Sequence, residues 1–120
     1  MGAVSTGNAQ HYQWGDACDG WHLLAVDDLS VVEERMPSGT VEQRHWHAQA
    51  RQFFYVLEGE TMLELDGVTH PLQRGEGLHV PPAAAHQMRN DSAKDLRFIV
   101  LSAPRSHGDR FAAPIEESAR

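Results

Sequence analysis

GTVEQRHWHAQARQFFYVLEG, residues 39–59, is the stretch on which the reading of the fold turns. At its centre stands His45-Trp46-His47. On a β-strand alternate side chains share a face and residues i and i+2 lie about 6.5 Å apart, so two imidazoles so placed can converge on one ion. A solvated histidine pair on an exposed strand has the same spacing, and the pair alone leaves both readings open. If His45, His47 and Gln52 face an interior, the period of two puts Val41, Gln43, Phe54 and Val56 on that same face. Phe53 and Tyr55 then point the opposite way, toward a second layer or a dimer interface.

Outward from this stretch, no 3.6-residue apolar period persists for a dozen residues. The chain reads instead as short β-prone segments: Trp21–Val26, Leu29–Met36, Val41–His47, Gln52–Leu57, Thr61–Leu65, Val68–Leu72, Leu78–Val80, His86–Arg89 and Leu96–Ser102. Turn chemistry separates them, most clearly Asp66-Gly67, a two-residue hairpin signal because a type I′ turn needs positive φ at both central positions. So many short strands predict an all-β sandwich or barrel. Residues 1–20 read as an extension whose polar first part frays, residues 21–102 as the barrel, and residues 103–120 as a tail, with Pro104, Gly108 and Pro114, that wraps the barrel or a partner subunit.

The 120 residues fit one domain, and 41% apolar with 22% charged residues is neither a disordered nor a fibrous composition. Seventeen acids against ten bases give a formal charge of −7, which argues against a nucleic acid or an anionic membrane as partner. Cys18 is the lone cysteine, as a reducing compartment permits, and its acidic neighbours argue against a nucleophile. The longest apolar runs, Phe53–Leu57 and Phe98–Leu101, are far short of the ~20 residues that span a bilayer. The expectation is a cytoplasmic protein. No nucleophile elbow, phosphate loop, dinucleotide fingerprint or paired CxxC is present. Eight histidines, by contrast, are many for this length, and imidazole is the commonest metal ligand.

The turn frame around the histidine pair runs Gly39, five residues, His45, one residue, His47, four residues, Gln52, six residues, Gly59. A second frame comes after fifteen residues: Gly75, five residues, Pro81, four residues, His86, three residues, Asn90. Together they resemble the two motifs of the cupin superfamily, over about half the chain. The resemblance implies an antiparallel double-stranded β-helix, or jelly-roll barrel, with His45, His47 and His86 as metal ligands and Gln52 in the fourth ligand position. Two departures stand out: Gln52 where most metal-binding cupins have Glu, and Ala83 where the second motif normally has Gly. A neutral amide is a poorer donor than a carboxylate, so the site keeps the full charge of a divalent ion; the bland alternative is that Gln52 only hydrogen-bonds a histidine.

The function this implies combines a divalent transition metal, zinc, iron, nickel or manganese, with a small organic substrate bearing a carbonyl or carboxylate. The reaction is isomerisation or cyclisation, or oxygenation with iron; cupin polyketide cyclases that are similar in using three His and one Gln favour the redox-neutral branch. The alternative is a non-catalytic module that binds or senses a small ligand. Gln43, Phe54, Met88 and Asn90 are the expected substrate contacts, with no acid or base identified, and a homodimer is expected to cover the edge strands. Of the remaining charges, Glu33, Glu34 and Arg35 read as a solvated edge strand, the alternative being one charged group turned toward the barrel mouth. Asp109-Arg110 reads as a solvated pair, with an intersubunit ion pair as the alternative, and His11, His22, His70, His79 and His107 as surface or supporting residues.

Overall fold

A computed structural model describes residues 2–115. Eleven strands are present in it: β1 Gln10–Trp14, β2 Cys18–Val26, β3 Leu29–Met36, β4 His45–Trp46, β5 Arg51–Glu58, β6 Glu60–Leu65, β7 Val68–Gln73, β8 Gly77–Val80, β9 His86–Arg89, β10 Leu96–Ala103 and β11 Phe111–Ala112. They form two antiparallel sheets, ordered β1-β2-β3-β10-β5-β8 and β11-β4-β9-β6-β7, the double-stranded β-helix the motif frames imply. Alternation sorts the side chains. In β5, Gln52, Phe54 and Val56 are buried between exposed neighbours, and in β10 Leu96, Phe98, Val100 and Ser102 are buried between half-buried or exposed ones. Met36, Val56, Leu63, Met88, Leu96 and Phe98 fill the space between the sheets. Truncating a ring such as Phe98 there would cost about 3–5 kcal/mol.

The hairpin signal reads correctly: Asp66 and Gly67 join β6 to β7 at φ 48° and 88°. Three expectations change. Residues 10–14 do not fray: Tyr12 and Trp14 turn inward, and the segment pairs with β2 in full register. Strand β3 lies between β2 and β10 and is no edge. The expected strand Val41–His47 shrinks to β4 plus one bridge from Val41 to Arg89. Between them the Glu42 N–H still donates to the Met88 carbonyl at 3.0 Å, but the Glu42 carboxylate accepts the Met88 N–H at 2.9 Å and the Gln87 side-chain amide donates to the Glu42 carbonyl at 3.0 Å, so side chains replace part of the regular ladder. In the tail, β11 pairs with β4, Phe111 stacks on Trp46, and Arg44 donates to the Ala113 carbonyl at 3.0 Å. Residues 116–120 of the expected tail, like Met1, lie outside the described residues.

Ala83 takes φ 69°, the left-handed conformation its Cβ disfavours, and its N–H donates to the His47 carbonyl at 2.7 Å, tying the two motif frames together. Ala83→Gly is therefore expected to raise stability by about 0.5 kcal/mol, relief of strain exceeding the added chain entropy. An unchanged or lower midpoint of chemical denaturation would show that the turn carries no strain.

Candidate metal centre

The sheet register brings the histidines together. His45 on β4 faces His86 on β9, with ring centroids 4.4 Å apart, and His47 comes two residues on, 4.9 Å from His45 and 5.6 Å from His86. One ring nitrogen from each lies within 4.8 Å of the others, and all three residues are buried. Each ring is oriented by a backbone carbonyl: His45 Nδ1 donates to Gln43 at 2.8 Å, His86 Nδ1 donates to Ala84 at 3.0 Å, and His47 Nδ1 donates to Asp109. Such bonds set the tautomer with the proton on Nδ1 and leave each Nε2 a free lone pair. His47 Nε2 and His86 Nε2 indeed have no hydrogen-bond partner, although both are buried.

Gln52, on β5, completes the pattern. Its amide nitrogen donates to Ser102 Oγ at 2.9 Å, which turns the amide so that Oε1 is buried without a partner. Buried polar atoms left unpaired are costly, and lone pairs from two imidazoles and an amide form a donor set suited to a borderline transition metal. The cluster could hold a metal ion. Burial holds His45 down to about 3, helped by neighbouring His86, and holds His86 down to about 4. His47 is lowered for the same reason. The three rings are thus neutral, as ligands must be.

The tail locks this arrangement. The Asp109 carboxylate accepts the N–H groups of Ala48, Gln49 and Ala50 at 2.7, 2.9 and 3.0 Å. Burial alone would raise its pKa, but these donors override it and keep the group ionised. Asp109 is therefore a brace for the loop after His47 and not half of a solvated ion pair. Sequence spacing carries no signal of a contact across 62 residues.

A cavity of about 560 Å³ opens beside the histidines, with His45, His47, Gln52 and Phe54 in its wall. Val41 and Gln43 line it too but remain exposed, at its mouth. Met88 and Asn90 do not reach it: Met88 is packed in the core, and the Asn90 amide donates to the carbonyls of Met36 and Lys94 at 2.8 Å, stapling a turn. Both share the inward parity of His86, but β9 carries them away from the open end. Parity supplies a face and says nothing of depth.

The cavity also holds residues that motif spacing does not single out. Glu34 and Glu42 line it, as do Tyr12, His22, Arg105 and Arg110. Burial pushes Glu34 up to about 7 and Glu42 up to about 8. Glu34 is the one charged group of 33–35 that faces in; Glu33 faces out and pairs with Arg97 at 2.8 Å. The inward alternation of Ser30, Val32 and Glu34 is a usable signal, masked when β3 is taken for an edge.

Comparison with known proteins agrees with the fold. The cupin domain family matches residues 32–102. Polyketide synthase CurC of Streptomyces cyaneus is 33% identical over 69 residues, 58% of this chain and 45% of CurC. Quercetin 2,3-dioxygenase of Bacillus subtilis is 37% identical over 62 residues, 52% of this chain and 18% of the enzyme. The chain thus spans less than half the length of either relative. The solved structure of the polyketide cyclase RemF from Streptomyces resistomycificus superposes with a TM-score of 0.79 at 19% identity, covering 98% of this chain and 88% of RemF, a likeness of fold alone.

Proposed function

The chain belongs to the cupin domain family, and on that premise we propose that it is a metal-dependent enzyme acting on a small organic substrate with a carbonyl or carboxylate, by redox-neutral isomerisation or cyclisation. The observation that carries this reading is the set of orphaned lone pairs, His47 Nε2, His86 Nε2 and Gln52 Oε1, beside an open cavity. Likeness in sequence to the polyketide synthase CurC supports a carbonyl-bearing substrate. Oxygenation with iron is the second reading, favoured by likeness to quercetin 2,3-dioxygenase.

His45, His47, His86 and Gln52 would hold one zinc, nickel, manganese or iron ion, which supplies Lewis acidity to a substrate oxygen. The chain's own groups do the rest. Three neutral rings and an amide leave the charge of a divalent ion uncompensated, which favours an anionic substrate group. Arg105 and Arg110 line the cavity and make no ion pair among the described residues, so they add attraction of the same sign. Phe54 and Val100 offer an apolar wall to the body of the substrate. Gln43 and Val41 flank the entrance. A cytoplasmic homodimer, closing over exposed Phe53, Tyr55 and Leu101 on the outer face of β5 and β10, belongs to the same proposal.

Protein purified without chelator and loaded separately with each of the four metals is expected to retain about one ion per chain. Calorimetry should then show oxalate, a chelating dicarboxylate, binding to the loaded protein and not to the metal-free form. Failure to retain any ion, or equal oxalate binding with and without metal, ends the reading. Tight binding with no turnover of any carbonyl compound would replace it with a binding module.

A further inference from the structure

The inner face of the six-stranded sheet is laid out in rows. Gln52, Ser102 and Ser30 form one row, beside the histidines. Phe54, Val100, Val32 and His22 form the next. Beyond it, Phe98, Glu34, Gly20 and Tyr12 form a third. Glu34 is four residues along β3 from Ser30, about 13 Å at the rise of a strand, so its carboxyl stands at the far end of the cavity from Gln52.

That far end is built with care. Tyr12 and Glu34 are separated by β2, about 9.6 Å at two strand spacings, yet the Tyr12 hydroxyl donates to Glu34 Oε2 at 2.6 Å. The ring crosses β2 at Gly20, where a Cβ would lie 2.0 Å from the Tyr12 ring. Only a glycine there lets the phenol reach the acid. No other hydrogen bond to the Glu34 carboxyl is made among the described residues. In the middle row, His22 lies against Tyr12 with ring centroids 4.7 Å apart, and its buried Nδ1 has no partner. A ligand lying along this wall would supply one.

Resting on the enzyme reading, we propose that the Tyr12–Glu34 pair anchors the far end of an elongated substrate by hydrogen-bonding a hydroxyl roughly 10 Å from the oxygen held at the histidines. The substrate class is then an elongated carbonyl compound with an apolar middle and a distal hydroxyl, and not a small monofunctional acid. The middle row, with Val32, Val100 and Phe54, takes its apolar body, and His22 Nδ1 meets a polar atom at mid-length. Glu34 is the specificity-determining acceptor, and Tyr12 positions it.

Two planar probes that share a chelating 3-hydroxy-4-keto end test this: quercetin, which carries distal hydroxyls, and 3-hydroxyflavone, which lacks them. Fluorescence titration should show the wild type, zinc-loaded or metal-free, binding quercetin at least about fivefold more tightly, as the net worth of one hydrogen bond implies. Glu34→Leu is expected to erase the preference. Glu34→Gln should retain part of it, Tyr12→Phe should reduce it, and Glu33→Gln, the same change on the outer face of β3, should leave it intact. Circular dichroism confirms that each variant folds. A preference unchanged in Glu34→Leu overturns the proposal, and so does a wild type that binds neither probe or does not distinguish them. Equal 3-hydroxyflavone affinity with and without zinc speaks instead against the metal site, so the two failures are separable.

Discussion

Replacing His45 and His47 together by alanine is expected to bring the bound metal from about one equivalent per chain to below about a tenth, measured by elemental analysis of protein made without chelator. The donor set contains no carboxylate, so each imidazole carries a large share of the affinity. Disturbing the groups that merely orient a ligand typically costs 10–100-fold, and losing a ligand costs at least as much; two losses therefore weaken binding by at least about 10²- to 10⁴-fold. The fold should survive. Both rings are desolvated neutral groups whose removal leaves the Phe98, Leu63 and Met88 core intact. Equal metal content in the variant and the wild type would remove the foundation of the functional reading.

The second large effect is expected from Glu42→Gln in metal-free protein. Burial raises the folded pKa of Glu42 to about 8, above the ordinary 4.5, with the charge of Glu34 adding to the rise. The folded state therefore binds more protons than the unfolded chain between these values. The associated stability is fully present below pH 4.5 and is lost as pH climbs through about 8. Glu34, raised to about 7, contributes with the same sign. Glutamine keeps an oxygen for the Met88 N–H and carries no charge, so the variant should gain about 2 kcal/mol over the wild type at pH 8 and differ by less than about 1 kcal/mol at pH 5. Denaturation curves at the two pH values measure it. Parallel pH profiles for both proteins would mean that Glu42 is not held protonated by the fold.

Much of the barrel is legible in the sequence because its rules are local. Alternation in β5 and β10 separates inside from outside, and Asp66-Gly67 announces its hairpin through φ alone. The histidine cluster is legible in part, since strand parity gives His45 and His47 one face while His86 enters only through the spacing of the second motif. The hidden remainder depends on which strand lies beside which. Glu34 becomes a cavity residue once β3 is known to sit between β2 and β10, and its bond to Tyr12 needs the further fact that Gly20 falls between them in register. Glu42 illustrates the converse: a side chain takes over hydrogen bonds that a strand ladder would have made, and so cuts short an element that propensity favours.

The Asp109 brace has a practical corollary. Because one carboxylate from the tail gathers three successive amides behind His47, and its own carbonyl steers that ring, the barrel proper is not a self-sufficient holder of the site. Proteolytic trimming after Ala103, or a circular permutant opened between residues 104 and 113, would slacken the first motif without touching any ligand. Fusion partners and affinity tags are better appended at the opposite terminus.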